Sequence, residues 1–136
     1  MRAILQKAGL DVENQIDFCI TGKEAYEHVK YAYSNGISYK AIFTDFSMPI
    51  MDGIEATAKI RAFLNTEMTI PLGEQPAIIG VTGHVGSKFT VLGEKAGMNQ
   101  VVAKPVYLQN MVSILENIGM KKMWFTKQIK LIYNIL

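Results

Sequence analysis

The stretch AIFTDFSMPIMDG, residues 41–53, decides how the rest of the chain is read. It begins as a short apolar strand, closes on a carboxylate, Asp45, and passes at once through Pro49 to Asp52-Gly53. After that turn Ile54, Ala56, Ala58, Ile60, Phe63 and Leu64 recur at helical spacing, so a helix is expected over 54–64. Strand, charged corner, helix is the unit from which the remainder can be built outward.

Downstream, a polar loop with Pro71 and Pro76 leads to AIIGVTG, 77–83, an apolar run without a polar face. Such a run suits a parallel strand covered on both sides. A weaker helix over 87–96, a very short strand over 100–103 and an apolar-periodic helix over 108–118 follow. Upstream, QIDFCIT, 15–21, sets Ile16, Phe18 and Ile20 on one face of a strand. Ala25, Val29 and Ala32 stripe a helix over 23–33 that ends near Asn35-Gly36, and Ile4, Leu5 and Ala8 give a helix before Gly9. Helices and strands alternate with short connections, which predicts an α/β doubly wound domain on a parallel sheet. The pattern opens on a helix, without the strand that such an order leads one to expect before it.

The totals are consistent with one domain of 136 residues. Fourteen Lys and Arg against twelve Asp and Glu leave a net charge of +2, too small to predict nucleic-acid wrapping or steering of acidic substrates. Apolar residues make up 49% of the chain and charged ones 19%, enough burial to fold most of it. Cys19 is the single cysteine and sits in an apolar stretch, so a reducing, cytoplasmic setting is expected. No apolar run approaches the roughly 20 residues of a spanning helix.

In a parallel sheet, ligands gather beyond the carboxyl ends of the strands. Asp45, Thr82 and Lys104 each fall at such an end, and Gly83 leaves the approach open. A carboxylate, a hydroxyl and an ammonium on one rim suit phosphoryl transfer to the carboxylate, with Asp as nucleophile and the other two on phosphoryl oxygens. Each alone has a plainer explanation: strand-end Asp residues cap helices, Thr favours strands, and Lys beside Pro is usually solvated.

The segments TDFSMPIMDGIEATAKIR (44–61), IIGVTGHV (78–85) and GMNQVVAKPV (97–106) resemble the receiver domain of response regulators and hybrid histidine kinases. The resemblance covers residues 1–118 and implies a flavodoxin-like fold with strand order 2-1-3-4-5. The Glu55-Ala56-Thr57 run looks most like receivers of multi-step phosphorelays. By position, Asp45 matches the phosphoacceptor, Thr82 the switch hydroxyl, Lys104 the family lysine, and Ser47 the residue whose backbone carbonyl joins Asp45 in binding Mg²⁺. Pro49 and Gly53 match the loop that shapes the pocket. Pro105 matches a proline whose preceding bond is usually cis. The implied partner is a histidine kinase or histidine phosphotransfer protein, with no nucleic acid; the receiver is a signalling module rather than an enzyme.

Two departures accompany the match. Receivers open with a strand ending in an acidic pair that holds Mg²⁺; here that strand would fall before Met1, so the fold is expected to lack its usual first strand and Mg²⁺ binding to be weakened or lost. Asp11 and Glu13 precede the 15–21 strand and cannot stand in. Val101 occupies the place of a Tyr or Phe that moves with phosphorylation in many receivers. His84 lies near the site, where a loop histidine without a role is the plainer reading.

The domain is taken as 1–118, with 119–136 a basic, hydrophobic C-terminal extension. Two readings of that tail stand side by side. Residues 129–135, rich in β-branched and aromatic side chains, replace the lost strand and bring Asn134 to an acidic position; or Lys121, Lys122, Lys127 and Lys130, with Trp124 and Phe125, form a solvated or partner-contacting segment. The function expected is phosphorelay signalling through phosphate on Asp45. The alternative is a degenerate receiver serving only as a binding module, and an unrelated hydrolase using Asp45 has only Asp52 near in sequence for acid catalysis.

Overall fold

A computed structural model of the protein describes residues 2–47, 50–84, 86–119 and 130–134. The elements are α1 (Arg2–Lys7), the single turn α2 (Val12–Gln15), β1 (Ile16–Phe18), α3 (Gly22–Ser34), β2 (Tyr39–Asp45) and α4 (Gly53–Ala62). A π-helical turn, Phe63–Glu67, continues α4, and a 3₁₀ turn, Leu72–Glu74, precedes β3 (Ala77–Thr82). Then come α5 (Ser87–Ala96), β4 (Gln100–Ala103), α6 (Leu108–Asn117) and β5 (Lys130–Asn134). Among the described residues the strands form one sheet in the order β1-β5-β2-β3-β4, every neighbouring pair parallel.

The C-terminal strand therefore lies inside the sheet rather than beside it. Leu131, Ile132 and Tyr133 pair with Ile16, Asp17 and Phe18 on one side and with Ala41, Ile42 and Phe43 on the other. Of the two readings of the tail, a strand between β1 and β2 is the one that residues 130–134 adopt. Trp124, Phe125 and the lysines at 121, 122 and 127 lie outside the described residues.

Both faces of the sheet are covered, as the unbroken apolar runs require. One core joins Ala41, Phe43, Ile79 and Val81 to α1, α2 and α6 through Leu5, Val12, Met111 and Leu115. The other joins Ile42, Ile78 and Ile132 to α3 and α4 through Ala25, Val29, Ile60 and Leu64. Tyr39 shares the face of Ile42, three residues on, because the register of β2 slips between Tyr39 and Ala41. From there Tyr39 donates its hydroxyl to Asp17 Oδ2 at 2.5 Å, joining β2 to β1 across β5. Cys19 packs in this core as expected, and burial, with the Glu24 and Asp17 carboxylates, pushes its thiol up to about 12.

Two boundaries differ from expectation. The 15–21 strand stops at Phe18, and Ile20 is 65% exposed, because the Ile20 N–H donates to the Glu24 carboxylate instead of to a sheet partner. The turn α2 was not foreseen; the Asp11 side chain accepts from Asn14 N–H at 3.4 Å and caps it.

Candidate functional site

Parallel pairing fixes which residues share the carboxyl edge. Asp45 ends β2 and pairs with Val81, so Thr82 lies one residue beyond it on β3; Thr82 pairs with Ala103, so Lys104 lies one residue beyond that on β4. Backbone bonds hold the three ends together: Phe46 N–H donates to Val81 O at 3.0 Å and Lys104 N–H to Thr82 O at 2.8 Å.

Asp45 is 3% exposed. A buried carboxylate must be hydrogen-bonded or paired. Its Oδ2 is in direct contact with Lys104 Nζ, and its Oδ1 accepts from the Ser47 N–H at 3.1 Å. Lys104 keeps about a third of its side chain in solvent, 35%, so the pair is open on the lysine side. Thr82 is also buried, and its hydroxyl accepts from the His84 N–H at 3.1 Å. Thus Asp45 and Lys104 touch, while Thr82 shares the edge but turns its oxygen to its own loop. The Lys104-Pro105 bond is cis. Pro49 lies outside the described residues.

Gly53 is a steric requirement of this corner. A Cβ there would lie 2.1 Å from the carbonyl oxygen of Asp45, so only glycine lets α4 begin against the end of β2. Asp52 caps the helix, its Oδ1 accepting from Glu55 N–H at 2.8 Å. At Gly83, by contrast, a Cβ would meet nothing within 4 Å, so packing does not demand glycine. Gly53→Ala is accordingly expected to cost about 2 kcal/mol or more and to displace the Asp45 amide resonance. Gly83→Ala should fall within about 0.5 kcal/mol of the parent. Urea denaturation of the two variants, with amide spectra, checks both.

The sequence reading missed an aromatic cluster at this edge. Phe46, the residue after Asp45, meets the Phe89 ring edge-on at a centroid distance of 6.2 Å, and Phe89 stacks on His84 at 4.9 Å. Small residues make the room: a Cβ at Gly80 would come within 2.6 Å of the Phe46 ring, and one at Gly93 within 2.6 Å of Val101. Val101 thus packs against α5, and the aromatic next to the site comes from the residue after β2 instead of from β4. Sequence signals existed only as isolated aromatics and glycines with no spacing rule to join them.

Ile50 was missed as well. It is 79% exposed at φ +72°, a costly backbone for a β-branched residue and one that is usually tied to a particular loop shape. The Gly22 N–H donates to Met51 O at 3.0 Å, which brings the turn carrying Ile20 beside this loop.

Comparison with known proteins places the chain in a family. The profile of the response regulator receiver domain matches residues 1–116. Hybrid signal transduction histidine kinase L of Dictyostelium discoideum is 32% identical over 116 residues, 85% of this chain and 6% of that protein. Two-component response regulator 24 of Arabidopsis thaliana is 31% identical over 103 residues, 76% of this chain and 65% of that protein. The chain therefore spans less than two thirds of either relative. Among solved structures, the receiver domain of a sensor histidine kinase from Pseudomonas aeruginosa PAO1, with a magnesium ion coordinated in its active site cleft, superposes with a TM-score of 0.66 at 28% identity. That match covers 86% of this chain and 84% of that one.

Proposed function

Because the chain belongs to the response regulator receiver domain family, we propose that it works in two-component phosphorelay signalling by accepting a phosphoryl group on Asp45. The donor is a phosphohistidine on a histidine kinase or phosphotransfer protein. The observation that carries this reading is the buried Asp45 carboxylate held against Lys104, with Thr82 one residue beyond Asp45's neighbour on the adjoining strand. One Asp45 oxygen attacks phosphorus; the O–P bond forms as the P–N bond to the donor breaks, and the leaving imidazole keeps the electron pair and takes a proton from water. Lys104 has three N–H donors, one directed at Asp45, so others remain for phosphoryl oxygens. The change is then relayed through protein contact, for which Phe46, Phe89 and His84 form a continuous path from Asp45 to the loop after Thr82.

The family implies Mg²⁺, which takes a near-octahedral shell of oxygens, usually with one or two carboxylates. All twelve acidic residues lie among the described residues, and no group of three His, Cys, Asp or Glu there is placed to hold a metal. Asp45 and the Ser47 carbonyl would be the protein oxygens on offer, yet one Asp45 oxygen faces Lys104 and the other the Ser47 amide. Asp52 is engaged as a helix cap and Glu24 on the Ile20 N–H. This donor set does not fit the ion.

That misfit favours one second reading, a receiver that binds partners without being phosphorylated. Incubation with a small acyl phosphate decides between them. Label that is labile to alkali and hydroxylamine on the native chain, and none on Asp45→Asn, supports phosphoacceptance; no label on either, with kinase or phosphotransfer-protein binding retained, supports the binding module. Among the described residues no helix is long and apolar enough to cross a membrane.

A further inference from the structure

We infer that His84 is a positioning residue: stacked on Phe89, it latches the Thr82 hydroxyl to its own loop, and a phosphoryl group on Asp45 has to draw Thr82 off that latch. The inference rests on the reading of Asp45 as phosphoacceptor and concerns what holds the neighbouring hydroxyl before phosphate arrives.

The latch is made of two contacts of one residue. The His84 N–H donates to Thr82 Oγ1 at 3.1 Å, and the His84 ring lies over the Phe89 ring, 4.9 Å between centroids and 12° from parallel. Gly83 and Gly86 flank His84, and a Cβ at either would meet nothing within 4 Å, so packing does not fix the loop there. The exposed His84 ring is thus the anchor of this loop on α5. Phe89 is held in turn by Phe46, which meets it edge-on at 6.2 Å. The Phe46 ring sits where a Cβ at Gly80 would come within 2.6 Å and one at Gly93 within 3.2 Å, so the far end of the anchor has little room to shift.

Thr82 is buried, and its β-branched side chain has only staggered positions to choose from. In the position observed, Oγ1 faces the His84 amide, while Asp45 is met by Lys104 and the Ser47 N–H. Turning Oγ1 toward a phosphoryl oxygen on the adjoining strand takes it off that amide. The cost is about one hydrogen bond, roughly two- to tenfold in population. Without the His84 ring the loop is free to move, and the cost falls.

Three variants test this in the full chain: His84→Ala removes the ring and keeps the N–H, His84→Phe keeps a ring to stack, and Thr82→Val removes the hydroxyl. Labelling rates with a small acyl phosphate and MgCl₂ are read beside the three-bond couplings that report the Thr82 χ1 rotamer in unlabelled protein. The native chain should show one Thr82 rotamer. His84→Ala should average the rotamers and take label about two to ten times faster. His84→Phe should return both readouts to the native values, and on a Thr82→Val background His84→Ala should give no gain in rate. A single Thr82 rotamer in His84→Ala, or averaged rotamers with the native rate, would overturn the inference; so would a His84→Phe chain that behaves like His84→Ala, or a gain that survives Thr82→Val. If the native chain takes no label, the proposed phosphoacceptance fails. The couplings then still decide whether His84 holds Thr82, since averaging in His84→Ala alone supports the latch and one rotamer in every chain removes it.

Discussion

Ile132→Asp is expected to abolish cooperative folding. Ile132 is fully buried at the middle of β5, between Asp17 on β1 and Ile42 on β2, and packs in the core under α3 and α4. The substitution removes an aliphatic side chain and puts an unpaired carboxylate in its place, a loss of more than about 4 kcal/mol. Because domains of this size hold only about 5 to 15 kcal/mol in reserve, most or all of the stability goes. The structural consequence is wider than one cavity: without β5, β1 and β2 face each other across an empty lane, and both lose a row of backbone partners. Near-ultraviolet circular dichroism and an amide correlation spectrum read the outcome. Ile132→Val, which keeps the shape, should cost about 1 kcal/mol. A chain ending at residue 129 that still melts cooperatively, with the parent spectrum for β1 and β2, would mean that something other than β5 completes the sheet.

Replacing Arg61 is expected to have the next largest effect. This arginine of α4 is 7% exposed, and neutral oxygens surround it. Its Nε donates to Gly97 O at 2.9 Å, one terminal nitrogen to Gln75 Oε1 and Pro76 O, each at 3.0 Å, and the other to Asn99 Oδ1 at 2.8 Å. Asn99 Oδ1 also accepts from the Ile78 N–H at 2.8 Å, so the guanidinium ties α4, the start of β3 and the turn into β4 into one unit. Burial lowers its pKa from the usual arginine range. Arg61→Met would fill much of the volume and strand four acceptors, at a cost of about 3 kcal/mol. Arg61→Lys should recover less than half of that, since an ammonium lacks the planar fork that reaches both sides. Guanidinium denaturation of the two variants gives the comparison, and equal stability of Lys and parent would show that charge alone, and not the fork, holds the corner. The site at the opposite edge of the sheet should keep its Asp45–Lys104 contact in both.

Much of this was legible in sequence because it depends on short-range rules. The strand that ends on Asp45, the two-sided 77–82 strand and the helix over 87–96 follow from apolar runs, turn residues and helical spacing. Parallel alternation then puts Asp45, Thr82 and Lys104 on one edge. Less legible were features decided by contact between distant segments. Ile20 alternates correctly for a strand, yet a carboxylate four residues on captured its amide. The cluster of Phe46, Phe89 and His84 depends on Gly80 and Gly93 opening space from two other elements.

What the sequence determined by itself was the family, the alternation of helices and strands, and the identity of the three side chains at the carboxyl edge, since pattern and local chemistry specify all of these. What only the tertiary structure decided was the place of Lys130–Asn134. Its β-branched and aromatic composition was compatible with a strand, but the lysines of the tail suited an extended segment at least as well. The choice falls to the sheet because the lane between β1 and β2 offers unpaired backbone on both sides and a buried seat for Ile132, and neither exists until the rest of the chain has folded around it.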